Sequence, residues 1–220
     1  MGFLNKGGVR LPTLYAIASS AAMAPHILLH EIAAPFDLVL LDPDKAEQKR
    51  PDYLALNPHG RVPTLVDGDL VLYEAAAICL HLADRHPVMG LAPPAATAER
   101  AVFYRDLVYM TNSVQADMML YFYPQRYVAA DARAAFQAMA EARLNDHFDG
   151  LDRALADRSW MLESGWSALD PYLFMLCRWT RFMKRPARTL PNLGPYLARM
   201  LERPAVRACL AAEGLSEPYC

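Results

Sequence analysis

The chain has 220 residues, 54% of them apolar and 21% charged, with a formal net charge of −2. That length can bury a full core as one large or two small domains, and the composition excludes a disordered chain. The near-neutral balance gives no electrostatic case for nucleic acid, and the longest apolar runs fall far short of a membrane span. Met1–Arg10 carries two cations, but no apolar core with a cleavage site follows, so no signal peptide is read there. Cys79, Cys177, Cys209 and Cys220 are scattered, with no C-x-x-C pair and no metal-ligand spacing. Unpaired thiols in mostly apolar helical contexts point to a reducing cytoplasm, and no metal is expected.

Gly2–Arg10 reads as a loose lead-in, and residues 12–17 as a first strand. Ala18-Ser19-Ser20 is the loop after it, and residues 21–34 read as a helix that tolerates Pro25 in its first turn. Residues 36–41 read as a second strand, and the charged stretch 42–56 as irregular with a short helix. Asn57-Pro58 with Gly60 marks a turn. Val62-Pro63-Thr64-Leu65-Val66 is a strand opened by a proline, which lacks an N–H and so suits a strand start. Asp67-Gly68-Asp69 is a hairpin turn, Leu70-Val71-Leu72 the return strand, and residues 74–86 a helix. Three prolines and a glycine between residues 87 and 94 suit a linker. Beyond it the pattern is helical throughout: 97–122, 131–157, 167–183, 193–201 and 205–212.

The stretch from Asn57 to Ala75 carries the candidate site. A Val-Pro bond at a strand start can be cis, which turns the backbone N–H and C=O of Val62 toward a ligand. A peptide-like ligand then pairs with that edge as an extra strand. Glu74, at a helix start, is placed to meet an ammonium group. The same residues also read simply as a hairpin and a surface helix.

V-P-T-L over 62–65, followed about ten residues later by an acid at a helix start, resembles the glutathione site of cytosolic glutathione transferases. The resemblance covers nearly the whole chain. Ser167-Ala168-Leu169-Asp170 resembles the buried capping box of the family's helical domain, and Arg203-Pro204-Ala205-Val206 with Glu213-Gly214-Leu215 its last helix. It is nearest the bacterial, beta-like branch. The resemblance implies an α+β protein: a thioredoxin-like βαβαββα domain over 1–87, a linker over 88–96 and an all-α domain over 97–220. It also implies glutathione as co-substrate, a small hydrophobic electrophile as acceptor, and a homodimer in which the first domain of one subunit touches the second domain of the other.

Such enzymes hold glutathione as its thiolate, because a thiol of pKa about 8.5 is mostly protonated at neutral pH and only the thiolate is a good nucleophile. The beta-like pattern carries a cysteine in the first loop, then serine, a hydrophobe and Ala-Pro-His. Ala24-Pro25-His26 matches, but Ala21 and Ala22 stand where the cysteine and serine belong. The remaining hydroxyls are Ser20, Tyr15 and Ser19, in that order of expectation. Each has a structural alternative: Tyr15 as a half-buried strand aromatic, and the serines as helix caps. His26 reads as a packed helix residue. The family also follows its helix-start acid with a serine that binds the γ-glutamyl carboxylate, whereas this chain has Ala75, whose N–H remains available.

Asn57, Val62, Pro63, Glu74 and Ala75 are therefore the expected ligand contacts. Gln115 falls where the branch places a histidine near the thiol, and otherwise reads as an exposed amide. Met110, Met118, Met119, Tyr121, Phe122 and Tyr123 are either an acceptor pocket or ordinary core. Two functions follow: a glutathione transferase, or a non-catalytic binding or regulatory module on the same fold. Ala21, Ala22 and Ala75 favour the second; Val62-Pro63 and Glu74 favour the first.

Overall fold

The computed structural model describes residues 11–220, so the lead-in read at Gly2–Arg10 lies outside the described residues. The chain divides into two compact units. One comprises the described residues up to Ala92 together with Leu201–Tyr219; the other comprises Pro93–Met200 with Cys220.

The first unit is built on four strands, β1 Thr13–Ala16, β2 Asp37–Leu40, β3 Thr64–Asp67 and β4 Leu70–Tyr73, in the order β2-β1-β3-β4. β1 and β2 run parallel, which requires a crossover, and α1, Met23–Ile32, supplies it. β3 is antiparallel to both β1 and β4. The β3–β4 hairpin closes through Gly68 and Asp69, with Asp67 already paired to Leu70. Gly68 takes φ +61° at the first loop position, where a side chain would be strained.

Alternation along β1 sorts the two faces of this sheet. Leu14 and its partner Leu65 are fully buried, while Tyr15 and its partner Thr64 point the other way and meet Tyr53 of the short helix α2, Pro51–Leu54. α1 packs against α3, Ala75–Arg85, and against α9, Pro204–Ala212. The sequence reading kept that last helix with the all-α domain over 97–220. The fold joins it to the first unit instead, because Ala205, Val206, Cys209 and Leu210 bury its apolar side and Glu213 bonds back to the first loop.

The second unit is helical. It contains α4 Ala98–Tyr109, α5 Ala116–Phe122, α6 Arg133–Ala154, α7 Leu169–Trp179 and most of α8, Leu193–Glu202. Among the described residues beyond 97 there is one isolated bridge, Leu162–Gly165, and no strand. The single helix expected over 97–122 is interrupted by a π turn at Met110–Gln115. There the Thr111 hydroxyl donates to Val108 O at 2.9 Å, competing for a carbonyl that the regular ladder uses. The helix expected over 167–183 stops at Trp179, because Thr180 Oγ1 donates to Cys177 O at 2.6 Å and accepts Ala187 N–H at 2.8 Å.

At the start of α7 the capping box forms as read: Asp170 Oδ2 accepts Ser167 N–H at 2.8 Å, and Ser167 Oγ accepts Leu169 N–H at 3.3 Å. Asp170 also accepts Met161 N–H at 3.0 Å and the Tyr196 hydroxyl at 3.1 Å through Oδ1. Burial pushes its carboxyl up to about 6, against the pull of these donors.

Candidate functional site

The hairpin register brings the site together. Tyr15 lies opposite Thr64, and Thr64 opposite Tyr73. The next step along each strand therefore sets Ala16, the end of β1, beside Pro63, and Pro63 beside Glu74; the Ser19–Ser20 loop follows from the end of β1. The end of β1, the start of β3 and the end of β4 thus lie at the same end of the sheet. Two helices also begin there, α1 two residues after Ala21 and α3 at Ala75.

The Val62–Pro63 peptide bond is cis. A buried polar hub holds the loop before it. The Tyr53 hydroxyl donates to Arg61 O at 2.6 Å and, its one hydrogen so used, accepts from the Thr64 hydroxyl at 2.8 Å. Asn57 donates through Nδ2 to Arg61 O at 2.8 Å and to Thr64 Oγ1 at 3.3 Å, and its Oδ1 accepts His59 N–H at 3.1 Å. Asn57 is 2% exposed, so this side chain expected to touch a ligand is turned inward and shapes the loop instead. Gly60 takes φ +57°, and a Cβ there would lie 2.7 Å from Lys49 Nζ and 2.9 Å from Gln48 O; only glycine fits that turn. Tyr53 and Thr64 were not singled out from sequence, since nothing in a lone tyrosine and a strand threonine signals that their hydroxyls are hydrogen-bonded.

Glu74 is exposed and has φ +74° with ψ 114°, a conformation that non-glycine residues seldom adopt and that costs on the order of 1–3 kcal/mol. It occupies the position before the helix rather than its first turn, and its side chain caps nothing. The first helical bond is Ile78 N–H to Glu74 O at 3.0 Å, so the N–H groups of Ala75, Ala76 and Ala77 face out of the helix end. That arrangement suits an anion beside the free carboxylate.

On the first loop Ser20 Oγ accepts Ala22 N–H at 3.2 Å, which leaves its own hydrogen to donate. Ser19 has φ +60°, and its N–H donates to Glu213 Oε2 at 2.7 Å. Tyr15 is half-buried, its ring centroid 5.7 Å from that of Tyr53. His26 is fully buried, with Nδ1 2.9 Å from Glu213 Oε1 and Nε2 3.2 Å from His30 Nε2. Glu213 thus ties the loop down from 194 residues away in sequence, a link that no local pattern announces.

In the helical unit Gln115 is not the exposed amide that sequence offered as an alternative. It is half-buried on the π turn, and its Oε1 accepts the Tyr172 hydroxyl. Met110 and Met118 are fully buried core, whereas Phe122 is 40% and Tyr123 36% exposed, so the aromatic and methionine cluster is divided between the two readings made of it.

The family described as "Glutathione S-transferase, N-terminal domain" matches residues 12–84. A curated relative, glutathione S-transferase GST-4.5 of Xanthomonas campestris pv. campestris, is 31% identical over 92% of this chain and 99% of its own length. The chain belongs to the glutathione S-transferase family. Among solved structures, a glutathione S-transferase from Xylella fastidiosa has 32% identity and a TM-score of 0.86, covering 93% of this chain and 100% of the other. The bacterial beta-class glutathione S-transferase of Sphingomonas chungbukensis shares 32% identity at TM-score 0.81, over 93% and 100% of the two chains. A sphingomonad glutathione S-transferase solved in complex with glutathione shares 30% at 0.81, again over 93% and 100%. One of these neighbours is described as bacterial beta class, and this chain is a transferase of the same fold. It reaches the fold without the loop cysteine.

Proposed function

We propose that this protein joins the thiolate of glutathione to small hydrophobic electrophiles. The observation that supports the reading is that the end of β1, which leads into the Ser19–Ser20 loop, the Val62–Pro63 start of β3 and Glu74–Ala75 after β4 lie at one end of the sheet. The backbone of Val62 pairs with the cysteinyl part of the tripeptide. The Glu74 carboxylate meets the γ-glutamyl ammonium, and the Ala75 N–H meets the γ-glutamyl carboxylate. The missing serine at that position gives up one hydrogen bond to a charged group, about 1.5–3 kcal/mol, which makes glutathione a weaker ligand here than Glu74 alone suggests.

Ser20 donates to the sulfur, with Tyr15 and then Ser19 as the competing donors. The thiol proton leaves to solvent, and the sulfur bonds to the electrophilic carbon as that carbon's bond to its leaving group breaks, the leaving group departing as an anion such as the halide of an aryl halide. Donors aimed at the thiolate lower its pKa and raise the fraction that can react. Asn57 is a positioning residue in this reading, and Gln115, bonded to Tyr172, is left out of it.

The reading further includes a homodimer in the cytoplasm, with glutathione and the electrophile as partners and neither nucleic acid nor membrane bound. Among the described residues no helix is long and apolar enough to cross a membrane. The alternative, a non-catalytic binding or regulatory module, is favoured by Ala21, Ala22 and Ala75. Retention on immobilised glutathione followed by an assay with a generic aryl halide separates them. Retention with turnover supports the transferase and retention without turnover the module, while no binding at millimolar glutathione contradicts glutathione as the ligand.

A further inference from the structure

Behind the first loop, His26 of α1 meets Cys209 of α9 and Glu213 just beyond it. His26 Nδ1 lies 2.9 Å from Glu213 Oε1 and 3.2 Å from Cys209 Sγ, and Cys209 Sγ lies 3.5 Å from Glu213 Oε1. All three side chains are buried: His26 and Cys209 are 0% and Glu213 5% exposed. We propose that His26, Cys209 and Glu213 bind a thiophilic divalent cation of the zinc and cadmium type.

The donor set has the right chemistry. One sulfur, one imidazole nitrogen and one carboxylate oxygen suit zinc-like cations, and a thiolate with a carboxylate cancels a double positive charge inside an apolar interior. The geometry is nearly in place. Tetrahedral zinc with bonds of about 2.0–2.3 Å sets its ligand atoms about 3.3–3.6 Å apart, so these donors separate by only a few tenths of an ångström to admit the ion.

The surrounding hydrogen bonds are those that support metal ligands. His26 Nε2 lies 3.2 Å from Nε2 of the half-buried His30, and Glu213 Oε2 accepts Ser19 N–H at 2.7 Å. Without the cation, Glu213 Oε1 accepts hydrogens from His26 Nδ1 and from the Cys209 thiol. On binding, the thiol proton leaves to solvent, and the imidazole proton of His26 appears on Nε2, donated toward His30, whose own ring proton moves to Nδ1. Three protein ligands leave a fourth position for water. Because α1 and α9 are 183 residues apart at this contact, no spacing rule finds the site in the sequence.

The test is a cadmium titration of chelator-treated protein, read by the ultraviolet thiolate-to-cadmium absorption and by equilibrium dialysis. One cadmium per chain is expected, with the band appearing in proportion, a rise in thermal midpoint and one proton released. Cys209→Ser should lose the band and weaken binding at least about 10-fold, and Cys79→Ser should keep both. Absence of a stoichiometric band in the wild type overturns the site and leaves the trio as hydrogen-bonded packing. So does a band that survives Cys209→Ser. The wild-type result stands whether or not the variants fold, and it does not depend on glutathione binding.

Discussion

Glu74 is the residue whose local conformation most needs a reason. A carboxylate held at φ +74°, exposed and capping nothing, returns none of its backbone strain through the fold itself. In the proposed function, pairing with the ligand's ammonium group would supply the return. The pair is solvent-exposed, so about 1–2 kcal/mol is expected rather than the value for a buried pair. Glu74→Ala should weaken glutathione binding about 5–30-fold by calorimetry with the far-ultraviolet spectrum unchanged; unaltered affinity would remove Glu74 from the site.

In the proposed function Ser20 would act on a different quantity. A donor that stabilises the thiolate and not the neutral thiol changes rate more than affinity. Ser20→Ala should lower kcat with aryl halide and shift its pH dependence to higher pH, with little change in the glutathione dissociation constant. Tyr15→Phe and Ser19→Ala are the competing assignments. If none of the three moves the pH profile, hydroxyl activation is wrong for this chain.

At the scale of elements, α7 shows what a local motif can foretell. S-x-x-D before Leu173 and Leu176 is readable as a cap because the serine and the acid reach only their own helix start. The further bonds of Asp170, to Met161 N–H and the Tyr196 hydroxyl, come from other elements and turn the cap into a buried junction. Its carboxyl is raised by burial to about 6, above the usual carboxylate value of 3.8. Between pH about 4 and 6 the folded chain therefore holds a proton that the unfolded chain has lost, and Asp170's contribution to stability falls as pH rises through that window. Measured by urea unfolding from pH 4 to 7, the stability of the wild type relative to Asp170→Asn should drop by up to about 3 kcal/mol. A difference that stays flat with pH would show that Asp170 is ionised throughout.

The break in the helix over 97–122 illustrates the opposite case. Thr111 is an ordinary residue in a helical pattern, and nothing local foretells that its hydroxyl bonds Val108 O within a π turn.

For the whole molecule, assembly is the open expectation. Leu70 and Val71 on β4 are each 39% exposed, and on α4 Tyr104 is 44% and Val108 53% exposed. Apolar side chains left to water on both units are what a dimer of the expected kind would cover. Sedimentation at micromolar concentration should give twice the 24.6 kDa chain mass, and a species of chain mass alone would contradict the dimer.

Sequence by itself determined the order of strands and helices, the proline-opened strand at Val62–Pro63, the acid at Glu74 and the cap at Ser167–Asp170. Each depends on residues a few positions apart, where periodicity, turn chemistry and capping act. It also left the gap at Ala21 in plain view. Tertiary structure decided the rest: that Asn57 turns inward to Arg61 O, that Gln115 is held by Tyr172, that α9 joins the first unit, and that Glu213 reaches Ser19 and His26. Apart from the loop contact of Asn57 with Arg61 O, these hydrogen bonds join residues 57 to 194 positions apart, and their energies come from burying polar groups that then have to find partners wherever the fold brings them. A sequence read along its length shows which residues need such partners and not which ones they meet.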